Sequence, residues 1–334
     1  MITQGAYLAI KTIQTLKNQG FNLELFSDQA LQAVPNARLK KRYRELLKQG
    51  HPAISLFQED PEIYKISPAA LISPVQFCEV LIQAAEQQCQ QAGQTFQFLK
   101  QAVENLKDLE HFDWIILATG SQSQELFSQG AFQQVLPLKN SPGQISVIKV
   151  DSEKNPESFK IKYPVSYEGY CFPVINNRQL LGATYRKNNN LEILPEDHQE
   201  NINNLEKINF KLAQDLKNQI QNNPNNCSGR VSVRASSPDH LPLVGPLMPE
   251  KIFKEDYARL AYGDPYAKYP EPQNYPQLLL NIGHGSKGLS TSLISAWILA
   301  SEVLDLALPV SLKLRQAVHP NRFWLRDLKR CKKL

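Results

Sequence analysis

The chain has 334 residues and a net charge of +5, with 42% hydrophobic and 21% charged residues. These proportions are typical of a folded globular protein, and the length allows one large domain or two smaller ones. No apolar run is as long as a membrane span and no leader-like segment opens the chain, so we expect a cytoplasmic protein with no membrane anchor. The five cysteines are widely spaced and have no histidine partner at ligand spacing, which predicts free thiols and no metal site.

The first predicted elements are a helix and a strand. Apolar residues recur at helical spacing over residues 6–19, Gly20 ends this pattern, and the apolar run FNLELF (residues 21–26) follows. This order predicts a helix, a glycine turn and a buried strand, with almost nothing in front of the helix. A basic helix is predicted over residues 36–49, which contain the cluster LKKRYR.

A long helix and a second buried strand come next. Ser73 can cap a helix that has Pro74 at its first position and ends at Gly93. Residues 96–98 form a possible short strand. The run DWIILATG (residues 113–120) is apolar up to its final turn, which is typical of a strand in a buried parallel sheet.

The middle of the chain has a different pattern. The segments ISVIKV, FKIKYP, YCFPVI and QLLGATYR are short, alternate in polarity and are separated by turn residues, which predicts an antiparallel sheet. A long polar helix is predicted over residues 195–221, followed by the strand GRVSVRA. Near the C-terminus, LLLNIGHGSKGLSTSLISAWILASEVL predicts a strand, a glycine-rich turn and a long apolar helix. We therefore expect a discontinuous α/β architecture with antiparallel strands inserted between its parts.

The glycine-rich turn is the first candidate site. Gly283, Gly285 and Gly288 follow a buried strand and lead into a helix, so unblocked N–H groups and the positive end of the helix dipole could meet an anionic or carbonyl-rich ligand. The alternative is a tight turn whose glycines serve packing. His284 is either a ligand contact or a turn residue.

Arg234 is the second candidate. It ends an alternating strand on which Arg230, Ser232 and Arg234 share one side. An arginine at a strand end can bind a carboxylate through two hydrogen bonds, and the alternative is a salt bridge to Asp239. Gly120, which ends the strand DWIILATG, is a weaker candidate.

The C-terminal segment is strongly basic. Residues 313–334 hold eight Lys or Arg and one Asp. Such a run is usually solvated surface. The alternative is a phosphate-contacting patch, which Phe323 and Trp324 among the charges support.

Five segments, taken in order, resemble a known family. They are LISPVQFC (71–78), ATG with LPLKNSPGQIS (118–146), GYCFPV with LLGATY (169–185), VRASSPDHLPLVG (233–245), and GHGSKGL through HPNRFWLRDL (283–328). The segments are similar to FAD-dependent oxidoreductases of the D-amino acid oxidase type, and most similar to the FAD-containing half of the bifunctional tRNA 5-methylaminomethyl-2-thiouridine biosynthesis proteins. The resemblance covers residues 70–334 well and the first 30 residues more loosely.

This resemblance implies a Rossmann-like FAD-binding domain and oxidation of a secondary amine on the tRNA wobble uridine, with release of glyoxylate. It implies that Arg234 binds the substrate carboxylate and that Tyr170 lines the flavin face. Gly120 would lie near the dinucleotide. The flavin ring would be contacted by Gly283, His284, Gly285, Ser286, Lys287 and Gly288. The tRNA backbone would meet Arg322, Arg326, Lys329 and Arg330.

The resemblance also implies a division into domains. The FAD-binding domain would comprise residues 1–30, 73–138 and 277–334, with its first strand missing. The substrate domain would comprise residues 31–72 and 139–276. We expect no methyltransferase half, so the chain would perform at most the oxidative step.

The chain departs from the family pattern near its start. The three fingerprint glycines of the family align with Gln4, Ala6 and Ala9, although Gly5 lies nearby. Gly5, Ala6 and Ala9 are therefore the candidate cofactor contacts there. The acid that holds the ribose aligns with Ser27, which makes the neighbouring Asp28 the candidate.

Two further departures lie in the expected substrate domain. Residues 27–70 are shorter than the corresponding family segment, and Pro142 replaces an expected arginine. These departures leave three alternatives open: a non-catalytic homologue with reduced or no FAD binding, a start site that lies upstream, and an oxidase of small amines or amino acids.

Overall fold

The computed structural model describes residues 1–58, 60–128, 134–150, 161–263 and 266–330. Within these ranges the helices are α1 (Ile2–Asn18), α2 (Ala37–Lys48), α3 (Pro74–Gln91), α4 (Ser123–Ser128), α5 (Pro195–Glu206), α6 (Phe210–Asn222), α7 (Glu250–Asp256), α8 (Gly288–Val303), α9 (Leu312–Val318) and α10 (Arg322–Lys329). The strands are β1 (Ala30–Ala33), β2 (Ile54–Phe57), β3 (Asp60–Ile66), β4 (Ile115–Leu117), β5 (Lys139–Lys149), β6 (Val165–Ser166), β7 (Tyr170–Cys171), β8 (Arg178–Gly182), β9 (Cys227–Ser236), β10 (Leu243–Pro246) and β11 (Leu278–Ile282). None of the helices in these ranges has the length and apolar character that a bilayer crossing needs.

The long helices form close to their predicted bounds. The Ser73 side chain accepts a backbone hydrogen bond at the start of α3, and Pro74 occupies its first turn. Asn36 caps α2 in the same way. The helix predicted over residues 195–221 was wrong in one respect, because it forms as two helices. Asn209 leaves the helical conformation between them, and its side chain caps α6.

Two predicted strands are absent. Residues 21–25 and 96–98 pair with no strand of the described chain, and an extended segment needs a neighbour to satisfy its backbone N–H and C=O groups. The burial predicted from the apolar run still occurs at Leu23. Just beyond that run, Ser27 forms an isolated antiparallel bridge with Leu71.

The first of two compact units comprises residues 1–11, 98–140 and 234–334. Its sheet has the order β10-β11-β4, in which β10 is antiparallel to β11 and β11 is parallel to β4. The parallel pairing predicted for DWIILATG is therefore confirmed. The core of this unit includes Phe127, Leu243, Leu280 and Trp324.

The second unit comprises residues 12–97 and 141–233 and carries most of an eight-stranded sheet, ordered β2-β3-β1-β6-β7-β8-β5-β9. The pairs β7–β8 and β5–β8 are antiparallel, as predicted. The pair β1–β3, which the sequence did not predict, is also antiparallel, whereas β1 and β6 are parallel. Part of the predicted strand FKIKYP lies outside the described residues, and its remainder precedes β6. The two units divide the chain at points other than the predicted domain boundaries, and the functional division into domains stays a prediction.

A buried polar network joins the segments GQIS and GATYR in the second unit. The Arg186 guanidinium donates to Asp197 at 2.7 Å and to the Gln144 side-chain oxygen at 2.8 Å. The Thr184 hydroxyl donates to Asp197 at 2.9 Å and accepts the Gln144 N–H at 3.0 Å. Because buried polar groups that bond to one another rigidify their surroundings, these residues hold the start of α5 against the sheet.

Candidate functional site

The glycine-rich turn lies at the end of the parallel pair β4 and β11. Because the two strands are parallel, Gly120 and Gly283, which follow them, lie towards the same edge of the sheet. Gly120, Gly283 and Gly285 have φ angles of +59°, +77° and +57°, in the left-handed region that glycine adopts most readily. Crevices at the carboxyl ends of parallel strands are the usual ligand sites of α/β sheets.

The backbone of this turn is open towards a ligand. The N–H groups of Ser286, Gly288 and Leu289 have no hydrogen-bond partner in the described part of the chain. A side chain added at Gly288 would meet no atom within 4 Å, so the space beside Gly288 at the start of α8 is open. Free N–H groups at the positive end of a helix attract carbonyl oxygens and anions. The carbonyl edge of a flavin therefore fits the residues present here.

The end of β9 lies against the same turn. The Gly285 N–H donates to the Ala235 carbonyl oxygen at 2.8 Å, and Ser236 forms an antiparallel bridge with His284. Arg234 precedes Ala235 and is half-buried, whereas Arg230 on the same strand is exposed. The structure thus brings together Arg234 and the glycine-rich turn, which the sequence had identified as separate candidates.

The His284 side chain bonds to residues of β11 and α8, on either side of the turn. Its Nδ1 lies 2.7 Å from the Thr291 hydroxyl, and its Nε2 lies 3.0 Å from the Asn281 side-chain oxygen. Burial lowers the pKa of His284 to about 4, although a hydrogen bond at Asn281 opposes this change. A neutral imidazole with both nitrogens engaged links β11 to α8, so any cofactor contact of His284 is left to its backbone.

The candidate residues near the start of the chain have a different environment. Gly5, Ala6 and Ala9 lie inside α1. A Cβ atom added at Gly5 would lie 1.8 Å from the backbone oxygen of Ser290, so the missing side chain lets α1 pack closely against α8. The structure gives Gly5 a packing role, and a cofactor role for the three residues stays a prediction.

The candidates for binding ribose lie in the second unit. The Ser27 side chain is buried, and its hydroxyl donates to the Gln29 carbonyl oxygen at 2.7 Å. Asp28 is exposed. The Asp28 carboxylate is therefore accessible to a ligand, whereas the Ser27 hydroxyl stabilises the local turn.

Tyr170 lies on β7, where its ring stacks on Phe172 with centroids 5.0 Å apart. A Cβ atom at Gly182, on the neighbouring strand β8, would lie 2.7 Å from the Tyr170 ring. Gly182 therefore leaves room for this tyrosine, a role that the sequence analysis missed. The sequence signal was Gly182 itself, a glycine inside the predicted strand QLLGATYR, which was expected to pair in the same antiparallel sheet as YCFPVI.

Arg322 differs from the prediction of a tRNA contact. Its side chain is only 10% exposed, and its guanidinium donates to both carboxylate oxygens of Asp239, at 2.8 and 2.9 Å. It also donates to the carbonyl oxygens of Leu241, Pro242 and His319. Arg322 is therefore an internal clamp, and the predicted phosphate contact at this residue was wrong because all its donors serve the protein.

Asp239 is the acidic partner of this clamp. Burial raises its pKa, but hydrogen bonds from Arg322, the Leu241 N–H and the Ser237 hydroxyl outweigh that effect and lower the pKa to about 2. The alternative partner considered for Asp239 was Arg234. The structure shows instead that the Asp239 carboxylate is held by Arg322.

The rest of the basic segment divides between core and surface. Phe323 and Trp324 are buried in the core of the first unit, so their presence among the charges does not support a phosphate-contacting patch. Their positions on α10 alternate with polar ones at helical spacing, which is also the pattern of an amphipathic helix. Arg326 lies beside Asp327 at 3.4 Å and over the Phe323 ring, whereas Lys329 and Arg330 are exposed.

Within the described ranges, no group of three or more His, Cys, Asp or Glu side chains could hold a metal ion. Cys78, Cys89, Cys171 and Cys227 are free thiols. Cys331 lies outside the described residues. Cys171 is buried, and its burial raises the pKa of the thiol, which makes it unreactive.

Comparisons with known sequences agree with the motifs. The sequence profile of the DAO family, described as FAD dependent oxidoreductase, matches residues 5–302. The tRNA 5-methylaminomethyl-2-thiouridine biosynthesis bifunctional protein MnmC of Pseudoalteromonas atlantica is 33% identical over 222 residues, which is 66% of this chain and 30% of that protein. The protein of the same name from Chromobacterium violaceum is 36% identical over 202 residues, or 59% of this chain and 29% of that protein. The chain thus matches less than a third of the length of these relatives.

Solved structures show the same fold at low sequence identity. Glycine oxidase from Geobacillus kaustophilus superposes with a TM-score of 0.65 at 14% identity, covering 96% of this chain and 82% of that one. Iminodiacetate oxidase from Chelativorans sp. BNC1 superposes with a TM-score of 0.61 at 15% identity, covering 95% and 82%. The predicted α/β fold class is therefore confirmed. Because the family profile spans most of the chain and the fold agrees with it, the chain belongs to the DAO family of FAD-dependent oxidoreductases.

Proposed function

We propose that the protein retains FAD and oxidises the carboxymethylaminomethyl group on the wobble uridine of a tRNA, leaving an aminomethyl group and releasing glyoxylate. The observation that supports the proposal is the hydrogen bond between Ala235, which follows Arg234 at the end of β9, and Gly285 in the glycine-rich turn. When bound, FAD supplies a hydride acceptor for the carbon beside the amine nitrogen, and one water hydrolyses the resulting imine to the primary amine and glyoxylate.

Residues of the turn would hold the cofactor. The N–H groups of Ser286, Gly288 and Leu289 would donate to flavin carbonyl oxygens, and the exposed Lys287 beside them would add positive charge. Gly120 has open space in place of a side chain, so the dinucleotide could approach its backbone. His284 would position this turn through its bonds to Thr291 and Asn281.

Arg234 would bind and orient the substrate carboxylate. A guanidinium can donate two parallel hydrogen bonds to a carboxylate, which fixes the neighbouring carbon in one orientation. Tyr170 would line the flavin face, and its stacking on Phe172 would restrict the ring to one orientation. Lys329 and Arg330 would contact phosphates of the tRNA, since both are exposed on or next to α10.

The retention of FAD is tested by the visible absorbance of the purified protein, before and after incubation with added FAD. We expect a flavin spectrum that survives gel filtration. A protein that is folded by circular dichroism but stays colourless after the addition of FAD would contradict the proposal and favour a non-catalytic homologue.

The role of Arg234 is tested by Arg234→Ala, with Arg230→Ala on the same strand as the matched control. Loss of a charge-assisted carboxylate contact should raise the KM for the modified tRNA by about ten- to a hundredfold while the flavin content stays unchanged. Arg230→Ala should behave like the parent protein. Equal loss of flavin and of substrate affinity in Arg234→Ala would mean that the residue supports the fold.

The substrate class is tested by measuring glyoxylate release from hypomodified tRNA and from small carboxymethylamines. We expect oxidation of the tRNA, with a KM that rises steeply with salt because phosphate contacts release counterions. Activity on small amines alone, with no dependence on salt, would favour an oxidase of small molecules.

A further inference from the structure

We propose that a cavity between α7, α9 and α10, in the first unit, binds one unstacked base of an RNA. The cavity has a volume of about 480 Å³, and its lining includes Phe253, Tyr257, Leu312, His319 and Leu325. This inference takes the nature of the nucleic acid from the proposed function. It concerns a place that the proposed chemistry does not use.

Aromatic and aliphatic side chains form most of the cavity wall. The Tyr257 ring packs against Phe253 with centroids 4.9 Å apart and stacks on Tyr269 at 5.6 Å. At the opening, Leu312 and Leu325 are 67% and 37% exposed, which is high for large apolar side chains. Flat apolar walls around a limited volume suit a planar ring, and RNA-binding proteins commonly stack unpaired bases on such side chains.

His319 and Asn321 supply hydrogen-bond donors to the cavity, whose lining also includes the amides of Asn274 and Gln316, which can donate and accept. The His319 Nδ1 accepts the Asn321 N–H at 3.2 Å, so in the neutral ring the proton is on Nε2, which bonds to no atom of the described chain. His319 is neutral because burial, and then the charges of Arg315 and Arg322, lower its pKa to about 3. The Asn321 side-chain oxygen accepts the Met248 N–H at 3.3 Å, which leaves the amide NH₂ as a second donor.

These donors match the edge of a nucleobase. Base edges present ring nitrogens and carbonyl oxygens as acceptors. Among the described residues, no carboxylate lines the cavity, and Arg315 and Arg322 on its wall are paired with Glu302 and Asp239. The cavity thus offers neutral donors and apolar surface, a combination that favours an uncharged heterocycle over a free anion.

The charges outside the cavity suggest the path of the RNA backbone. Lys313 is exposed beside Leu312, and Lys329 is exposed one helical turn after Leu325. Asp256 and Glu271 lie near the Tyr257 hydroxyl on the α7 side of the cavity wall, and they raise its pKa together with burial, which is the larger effect. Phosphates should therefore pass along the α9–α10 side of the opening.

The test compares two fluorescent single-stranded RNAs of about eight nucleotides, one with all its bases and one with an abasic ribose at every position. Because stacking of a base on an aromatic side chain strengthens binding by about tenfold or more, we expect at least that preference for the complete RNA. Leu312→Glu should lower the preference to near unity by putting a carboxylate at the opening. Leu306→Glu, at a leucine that is 59% exposed and does not line the cavity, is the matched control and should have no effect.

A second readout uses the unmodified protein, so the test does not depend on the folding of a variant. An RNA that carries 4-thiouridine should crosslink under ultraviolet light to peptides that contain Tyr257 or residues 312–325. Equal binding of the complete and abasic RNAs, or crosslinks confined to other peptides, would overturn the inference. A colourless protein that keeps the base preference would contradict only the proposed oxidation, whereas a yellow protein without the preference would contradict only this inference.

Discussion

The turn over residues 283–288 and the first turns of α1 both contain glycine where a nucleotide site is expected, yet the two segments meet their neighbours differently. In the turn, Gly283 and Gly285 have positive φ angles and Gly288 has open space around it. In α1, Gly5 is buried and fits closely against the Ser290 backbone oxygen. The comparison teaches that a glycine in a nucleotide-fold pattern can serve ligand approach or helix packing, and that only its neighbours distinguish the two roles.

The largest expected effect on stability concerns Gly5. Gly5→Ala puts a methyl group against a backbone oxygen that cannot rotate away, so we expect a loss of about 3 kcal/mol in the free energy of unfolding. Gly288→Ala is the control, because its methyl group meets open space and its stability should change by less than about 0.5 kcal/mol. Urea denaturation of both variants measures the difference. A Gly5→Ala protein of normal stability that has lost FAD would mean that Gly5 contacts the cofactor.

The second effect concerns the basic C-terminal segment, in which the Arg322 side chain is mostly buried and Lys329 is exposed. Arg322→Ala removes the charged partner of Asp239, which keeps only its bonds from Ser237 and the Leu241 N–H, and also removes the donors to three carbonyl oxygens. We therefore expect a loss of about 2 kcal/mol in stability. Lys329→Ala should leave stability unchanged and reduce the salt dependence of RNA binding by about one phosphate contact. Denaturation midpoints and binding at two salt concentrations separate these roles. If Lys329→Ala destabilised the protein as much as Arg322→Ala, the distinction would be wrong.

The smallest effect concerns the pH dependence of stability that arises from His284 in the glycine-rich turn. Because the pKa of His284 is lowered to about 4 in the folded protein, the unfolded state binds more protons between about pH 6.5 and pH 4. Stability should therefore fall as the pH decreases through this window and level off below it. Allowing for residual solvent exposure, we expect His284 to account for about 1 kcal/mol of the loss.

His284→Gln provides the measurement for this residue. Glutamine keeps hydrogen-bonding groups but does not titrate, so the variant should lose less stability than the parent protein between pH 6.5 and pH 4.5. His319, which also has a lowered pKa, remains in both proteins and cancels from the difference. Identical pH profiles would show that His284 is already solvated in the folded state.

Local patterns predicted the elements whose determinants lie close together in the chain. Ser73 and Pro74 start α3, β4 and β11 form as apolar strands, and the turn that begins at Gly283 follows β11, because caps, periodicity and turn residues act over a few positions. The strand predicted at residues 21–26 failed for the opposite reason. Its apolar pattern correctly indicated burial at Leu23, but a strand also needs a ladder of backbone hydrogen bonds to a neighbouring strand. In the described chain the segment forms no such ladder, and only Phe26 at its end donates to the Leu71 carbonyl oxygen.

Long-range contacts decided the roles of single side chains. Arg322 was predicted to be exposed because it lies in a basic run, and the tertiary structure pairs it with Asp239, which is far away in the sequence. Phe323 and Trp324, which had supported the interpretation of this run as a phosphate-contacting patch, lie in the core. Charge density alone does not reveal this burial, although the spacing of the apolar residues on α10 is that of an amphipathic helix with one buried face.

The sequence by itself determined the family, the α/β fold class and the position of the glycine-rich turn, because these depend on motifs and periodicity that are readable along the chain. Only the tertiary structure brought Arg234 to that turn, gave Gly5 its contact with Ser290 and engaged both nitrogens of His284. The physical reason is that close packing and hydrogen-bond partners are properties of pairs of distant residues, whereas propensities and turn geometries are properties of neighbours in sequence.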